Sequence, residues 1–349
     1  MADPHLLDGM LARALAYAGT AAMTGPATWR LLTGAVAAHA RALRLGGLAA
    51  ACGGAALALH ATTLMAFTAF VPDDSGLLEL AETRIGPGDY ATVLRDTAYG
   101  HAWLAYVGAL LLLTGYGRLS RAWPRAQAWG TWLLGLGALG ALALMGHAGE
   151  WGAGSTLFAV DLLHLTAVTA WLGGFMVLVL GRFGTGERVL PPALRAFSRF
   201  AAPAMLVAVG SGIGRLALQE VGLDALAHSA YGWVLAGKLL ALLGVLLSAY
   251  GLRRWLRAVH EPAAAQWRTF DDRLSAEIFF AALLLLAAAL LTQLPPPPSY
   301  PASSAARFHP TDAVARLCAP PRAADADGRA AAGCRAPGPG NAPAWGASA

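Results

Sequence analysis

The stretch from His147 to Gly174 places ionisable side chains next to almost purely apolar sequence. Asp161 and His164 are three positions apart, so on a helix they share one side. His147 and Glu150 precede them by a short glycine-rich segment that would join two antiparallel helices. Imidazole and carboxylate groups together are ligands for a transition-metal ion. We therefore expect these four side chains to converge on a metal.

Two further residues extend this pattern into the apolar sequence. Trp171 is ten positions after Asp161 and continues the same helix side inward. Lys238 stands about ten residues into a later apolar run, where a charge needs a partner or a polar cavity. We expect Lys238 to line a polar pathway or to pair with a carboxylate such as Asp161.

The remaining histidines favour one side of the predicted membrane. His101 lies near the start of one apolar run, and His60 lies within another. Met65 and Met145 are close in sequence to His60 and His147, and a thioether beside imidazole favours copper over magnesium or calcium. The alternative is structural: histidine as a hydrogen-bonding group between helices, and methionine as a packing residue.

The whole composition is that of a polytopic membrane protein. Of 349 residues, 57% are hydrophobic and only 13% are charged, and a span needs about 20 apolar residues. The expected fold is all-α, a membrane bundle formed by residues 1–294, with the lipid bilayer and no nucleic acid as partner. Eight transmembrane helices are predicted, at about 9–29, 46–71, 98–117, 127–146, 158–181, 197–218, 229–253 and 275–294. The Ala-, Pro- and Gly-rich remainder, 295–349, is expected to be a disordered tail.

The loops between these spans alternate in charge. Arginine is concentrated in four of them, at 30–45, 118–126, 182–196 and 254–274, whereas the others are acidic or neutral. Basic loops remain in the cytoplasm. The sequence therefore predicts a bacterial inner-membrane protein with both termini and the disordered tail in the periplasm.

A weak internal repeat divides the predicted bundle. The segment "DTAYGHAWLAYVGALLLL" begins at Asp96, and "HSAYGWVLAGKLLALLGVLL" begins at His228. Each would open a helix after an outer loop, the third and the seventh. This arrangement indicates two four-helix halves of the same orientation, as in many transporters.

Five motifs, in this order, resemble the copper resistance protein D (CopD) family: "GHAGEW", "DLLHLTAVTAWLGG", "FSRFAAPAML", "SAYGWVLAGKLLALL" and "EIFFAALLLLAAALL". The resemblance extends over roughly 10–294. It implies an eight-span inner-membrane protein that brings copper across the membrane, commonly with a periplasmic copper-binding partner of the copper resistance protein C type. The positions that match the family's recurrent residues are His147, Asp161, His164, Trp171 and Lys238.

The expected function is therefore copper binding at the periplasmic face followed by movement inward, without enzymatic activity. His147, Asp161 and His164 would form the first copper site. His60, some 11 residues from the outer end of its helix, would be a second station roughly 15 Å deeper at 1.5 Å per residue. Two alternatives remain: a b-type haem electron carrier, and a factor that holds copper for a partner enzyme without transporting it.

The predicted topology can be tested with a reporter that is active only in the periplasm. Fusions after Gly152 or Pro298 should be active, because both positions follow segments predicted to lie outside. Fusions after Arg121 or Arg257 should be silent, because they lie in basic loops. The reverse pattern would move the histidines to the cytoplasmic side.

Overall fold

The computed structural model describes residues 4–34, 39–70, 87–119, 124–146, 152–184, 191–219, 223–258 and 264–294, and these ranges contain helices and turns but no strand. The helices are α1 (Pro4–Thr33), α2 (His39–Phe70), α3 (Pro87–Asp96), α4 (Ala98–Leu119), α5 (Pro124–Leu144), α6 (Thr156–Val179), α7 (Pro191–Leu218), α8 (Leu223–Ala227), α9 (Ala230–Ala258) and α10 (Ala264–Leu291). The all-α prediction is confirmed for this part of the chain. The predicted tail at 295–349 lies outside the described residues.

Six of the described helices are long and apolar enough to cross a membrane, and they make the chain a multi-pass membrane protein. They are Ala98–Tyr116, Arg125–Leu144, Thr156–Phe183, Ala193–Leu218, Ala230–Ala258 and Gln266–Leu291. α1 and α2 have 30 and 32 residues and coincide with the first two predicted spans, but they are not among the six. The count of eight spans therefore remains a prediction.

α1 lies at the centre of the bundle, in contact with α2, α5, α6, α7 and α10. Its Arg13, which interrupts the predicted first span, is buried. The Arg13 guanidinium donates hydrogen bonds to the carbonyls of Leu142 and Met145 at the end of α5. The last carbonyls of a helix lack partners within the helix and carry the negative end of its dipole. The arginine is therefore held inside the bundle as a cap on a neighbouring helix.

Glycine allows α6 to approach two neighbours closely, at Gly173 and Gly174. A methyl group added to Gly173 would lie 2.9 Å from the Cα of Gly25 in α1 and would also collide with the Ala21 carbonyl. One added to Gly174 would lie 2.6 Å from the ring of Phe197 in α7. Small residues at such crossings let helix backbones pack together in membranes.

The internal repeat has the same local geometry in both copies. Thr97 and Ser229 each follow a short helix, and each side-chain oxygen accepts a hydrogen bond of 3.0 Å from the backbone N–H three residues later, on Gly100 and Gly232. Both glycines are pressed against a carbonyl of the preceding short helix. Together with the pairing of α1 with α2, α4 with α5, α6 with α7 and α9 with α10, this supports two halves of the same design.

The basic helix ends meet their partners at one end of the bundle. Arg30 near the end of α1 donates a 2.6 Å hydrogen bond to Gln127 near the start of α5. After Val179 the backbone of α6 continues as a π-helical turn, Leu180–Gly184. Arg182 in that turn binds both carboxylate oxygens of Asp271 in α10, at 2.7 and 2.6 Å. This fork geometry is among the stronger ion pairs.

The close contact of α6 with α1 gives a stability prediction. Gly173→Val should destabilise the fold by roughly 1–3 kcal/mol or more, because the added side chain meets backbone atoms that cannot turn aside. Gly137→Val on α5 is the matched control: it carries the same cost in helix propensity, but nothing lies within 4 Å of its added Cβ. Thermal unfolding in detergent, followed by size-exclusion chromatography, measures the difference. Equal melting of the two variants would contradict the packing assignment.

Candidate metal-binding site

The face of α6 that is directed toward α7 carries Asp161 and His164, as the spacing predicted. Asp161 forms an ion pair with Arg215 of α7, with 2.6 Å between Asp161 Oδ1 and Arg215 Nη1. The Asp161 side chain is 7% exposed and that of Arg215 is 25% exposed. Arg215 Nε is also buried and has no hydrogen-bond partner in the part of the chain that the structure describes. A charge-assisted bond therefore joins α6 to α7 within the apolar bundle.

His164 lies one helical turn further along α6 and is anchored through one ring nitrogen. Its Nδ1 is 2.7 Å from the carbonyl oxygen of Ala208 in α7. A carbonyl only accepts hydrogen bonds, so Nδ1 carries the proton and the lone pair of the neutral ring is on Nε2. Ser211 Oγ lies 3.2 Å from the same nitrogen and is itself bound to the Val207 carbonyl at 2.6 Å. Histidines that bind metals are commonly oriented in this way by a backbone carbonyl.

α9 contributes a second cation to this cluster. Lys238 is half-buried and lies within electrostatic range of Asp161, Arg215 and His164. Tyr231, two turns earlier on α9, is within range of Asp161 and Arg215. Lys238 was expected to line a polar pathway or to pair with a carboxylate such as Asp161, and this stays a prediction. The hydrogen bond to Asp161 described above comes from Arg215. We define Asp161, His164, Arg215 and Lys238 as the polar cluster.

The repeat shows that this cluster belongs to the second half of the bundle. Counted from the shared Tyr-Gly step, Lys238 in α9 corresponds to Tyr106 in α4. Tyr106 is fully buried, and its hydroxyl lies 3.3 Å from Thr20 Oγ1 and donates at 3.4 Å to the Ala50 carbonyl. The same place in the fold therefore holds a neutral phenol in one half and an ammonium group among charged neighbours in the other.

Trp171 continues the face of α6 beyond the polar cluster. It is buried and stacked on Phe175, with ring centroids 5.8 Å apart and planes at 11°. Both rings line a cavity between α6, α7, α9 and α10. Trp171 is thus part of the wall of an internal space, which agrees with its expected place along a pathway.

The other predicted ligands do not join this cluster in the described part of the chain. His101 is exposed in the first turn of α4. His147 and Glu150 lie outside the described residues. Within the described ranges, no three His, Cys, Asp or Glu side chains come together as a metal-binding group. The convergence of four ligands therefore remains a prediction, because two of them, His147 and Glu150, belong to the segment before α6.

His60 occupies a shallower position than the deep station expected for it. A methyl group added to Gly9, in the second turn of α1, would lie 2.6 Å from His60 Nε2 and would also meet the side chain of Gln293, which follows the end of α10. His60 is therefore level with the ends of α1 and α10. The expected depth is wrong because α2 continues ten residues beyond His60, whereas Gln293 already follows the end of α10.

Two members of the site were missed by sequence reasoning. Arg215 and Ser211 stand in the apolar run "SGIGRLAL" of α7. The available signal was the rule that a charge within a membrane segment faces the interior and has a partner. Applied to Arg215, that rule predicts a carboxylate partner, and Asp161 is the intramembrane carboxylate of the neighbouring helix.

The ion pair gives a prediction for a double-mutant cycle. Asp161→Asn should destabilise the protein, because it leaves the Arg215 guanidinium in the bundle without its counter-charge. Asp161→Asn combined with Arg215→Gln should recover part of this loss, with a coupling free energy of about 1–3 kcal/mol. The measurement is thermal unfolding in detergent, with Asp224→Asn as the control because that side chain is 98% exposed. Strictly additive effects would show that the two groups do not depend on each other.

Comparison with known proteins shows what part of this chain is similar to. The family model described as copper resistance protein D matches residues 191–291, which include α7, α9 and α10. A curated relative, the copper transport protein CutJ of Bacillus subtilis (strain 168), is 30% identical over 160 residues.

That alignment covers 44% of this chain and 30% of the relative, so the chain spans about a third of the relative's length. No solved structure matches the chain. The family match nevertheless contains Arg215, Ser211 and Lys238 of the site described above. Over residues 191–291 the chain is therefore similar to the copper resistance protein D family, and the resemblance predicted from the sequence motifs is confirmed over that part of the chain.

Proposed function

We propose that this chain binds copper at the periplasmic face of a bacterial inner membrane and passes it inward through the half formed by α6, α7, α9 and α10. The family match and the name of the relative support a role in copper transport or resistance. They favour a transport role over an enzymatic one. The direction of movement follows from the predicted topology, in which the polar cluster lies near the outer ends of these helices.

His164 is the observation that carries this proposal. Its Nδ1–H is bound to the Ala208 carbonyl, so the Nε2 lone pair remains as a ligand for a soft or borderline metal ion. The hydrogen bond also fixes the orientation of the ring, which lowers the entropy lost on binding. Within the described chain, His164 is the histidine held between two helices of the half that contains the family match.

The charge balance limits how copper binds there. The polar cluster holds two cationic side chains, Arg215 and Lys238, but one carboxylate, Asp161. A copper ion at His164 gains from an additional anionic group. Glu150, together with His147, belongs to the segment that leads into α6, and we propose that these two residues complete the site.

The remaining predicted ligands fit an outer role. His101 is in the first turn of α4, and His60 is level with the ends of α1 and α10. We propose that these histidines receive copper from a periplasmic copper-binding protein of the copper resistance C type. In this arrangement residues 1–294 form the membrane domain, and 295–349 form a periplasmic tail that copper binding does not require.

The described geometry gives less support to the alternatives. A b-type haem needs two histidines facing each other from different helices, whereas His164 lies between α6 and α7, and His60 lies beside α1 and α10. The cavity between α6, α7, α9 and α10 is lined by no histidine. A copper-holding factor would share the His164 site but would not move the ion, so uptake measurements separate it from a transporter.

The function is tested on the purified chain in detergent and in proteoliposomes. His164→Ala should weaken copper binding by more than about tenfold. Loss of an outer-shell partner of a metal ligand costs about 10–100-fold in affinity, and loss of the ligand itself should cost at least as much. His228→Ala is the matched control, because that side chain is 79% exposed at the start of α9. Bound copper is measured by mass spectrometry of the metal, and uptake by its accumulation inside vesicles.

Three results would contradict the proposal. Wild-type binding and uptake by His164→Ala would remove the histidine from the site. Copper binding without uptake by the wild-type chain would identify a copper-holding factor. A haem spectrum in the purified protein would support the electron carrier.

A further inference from the structure

A cavity of about 200 Å³ lies between α6, α7, α9 and α10, on the inward side of the polar cluster along α6. Its walls are mostly aromatic and aliphatic side chains, among them Trp171, Phe197 and Phe270. One carboxylic acid, Glu277 of α10, also lines it. The proposed function assigns no role to this residue.

Glu277 is 5% exposed, and the structure gives it no hydrogen bond or ion pair with any described residue. Two of the charged residues that precede it on α10 have partners elsewhere. Asp271 is bound by Arg182, and Arg273, one turn before Glu277, donates a 2.6 Å hydrogen bond to the Gly251 carbonyl. The carboxyl group is therefore buried against the cavity without an ion-pair partner in the described part of the chain.

The surrounding helices supply few groups that could balance a negative charge. α9 contributes Tyr250 and Arg253 to the cavity wall, and neither side chain is hydrogen-bonded or ion-paired to Glu277. The residues of α6 and α7 that line the cavity include no acidic or basic side chain. Their one hydroxyl group belongs to Ser198.

α1 also contacts α10, but its two arginines are bound to α5 instead. Its Arg13 is bound to the end of α5, and its Arg30 donates to Gln127 of the same helix. Tyr17 packs with the apolar cluster formed by α1, α2, α4 and α5. None of these three α1 side chains is hydrogen-bonded to Glu277 in the described structure.

An isolated carboxylate in such surroundings is costly, and the group is neutralised by binding a proton or a cation. A metal ion would need several ligands at short range, and the cavity offers one carboxyl, the Met205 thioether and two hydroxyls, spread over three helices. A proton needs Glu277 alone. We propose that Glu277 is a proton-binding site within the membrane, which takes up and releases a proton as the adjacent cavity changes its access to water.

The position of the site gives this proton a use. Trp171 belongs both to the cavity wall and to the face of α6 that carries Asp161 and His164. A cation leaving the polar cluster inward along that face would reach Glu277 next. Its arrival would favour the charged carboxylate and release the proton, so that cation movement is coupled to proton movement. This coupling rests on the proposed function, whereas proton binding at Glu277 does not.

Proton binding is tested by labelling the full chain in liposomes with dicyclohexylcarbodiimide, which reacts with protonated carboxyl groups in apolar surroundings. Peptide mass spectrometry locates the adduct. Glu277 should be labelled, and the yield should fall as pH rises, because deprotonation removes the reactive form. Asp161, held by Arg215, and the exposed Asp224 should remain unlabelled. An unlabelled Glu277 at every pH would overturn the proposal, and so would pH-independent labelling that copper alone suppresses, which would indicate a metal site.

Coupling is tested in proteoliposomes loaded under different pH gradients. Wild-type copper uptake should change severalfold with the gradient, whereas Glu277→Gln should bind copper normally and lose this dependence. Glu277→Asp should restore it in part, and Ser275→Ala, an exposed neighbour on α10, should behave as wild type. An unchanged gradient response in Glu277→Gln would overturn the coupling. If the wild-type chain takes up no copper, the proposed function fails, and the labelling result alone then decides whether Glu277 is a proton site.

Discussion

The ion pair between Asp161 and Arg215 determines where the other polar groups of the second half lie. A charge inside a membrane bundle needs a partner on another helix, and this pair fixes which face of α6 is directed toward α7. His164, one turn further, then meets the Ala208 carbonyl. Trp171, two turns beyond that, reaches the cavity wall. A single electrostatic requirement thus aligns a metal ligand, a polar cluster and an internal space along one helix face.

The charges of this half are distributed unevenly along that face. The polar cluster has one more cation than anion, and the carboxyl of Glu277 stands apart in the apolar cavity. When Glu277 is protonated, the polar cluster keeps the excess positive charge of Arg215 and Lys238 over Asp161. When Glu277 is ionised, its negative charge offsets that excess. The protonation of this one buried carboxyl group therefore changes how strongly the polar cluster and the cavity together repel an incoming cation.

Much of the architecture was predictable from the sequence because it depends on local patterns. Apolar runs of sufficient length predicted the helices, and the internal repeat predicted two equivalent helix starts, where the structure has the equivalent bonds of Thr97 and Ser229. The three-residue spacing gave the shared face of Asp161 and His164.

The partners of these residues were not predictable in the same way. Which helix meets a given face is decided by the packing of the whole bundle, so Arg215 was passed over as a partner of Asp161. The depth of His60 was misjudged because depth was counted from the end of its own helix. α2 continues ten residues beyond His60, and the level of a residue in the bundle depends on the helices beside it.

The π-helical turn at Leu180–Gly184 has a consequence for how α6 tolerates changes in length. A π turn holds one more residue than an α turn, and each residue of an α-helix turns the chain by about 100°. The extra residue therefore rotates Arg182 relative to the face that carries Asp161 and His164. That rotation lets one helix direct its outer half toward α7 and its last turn toward Asp271 of α10. Deletion of a single residue between Val179 and Arg182 would preserve the composition of α6 but would aim the guanidinium at a different neighbour.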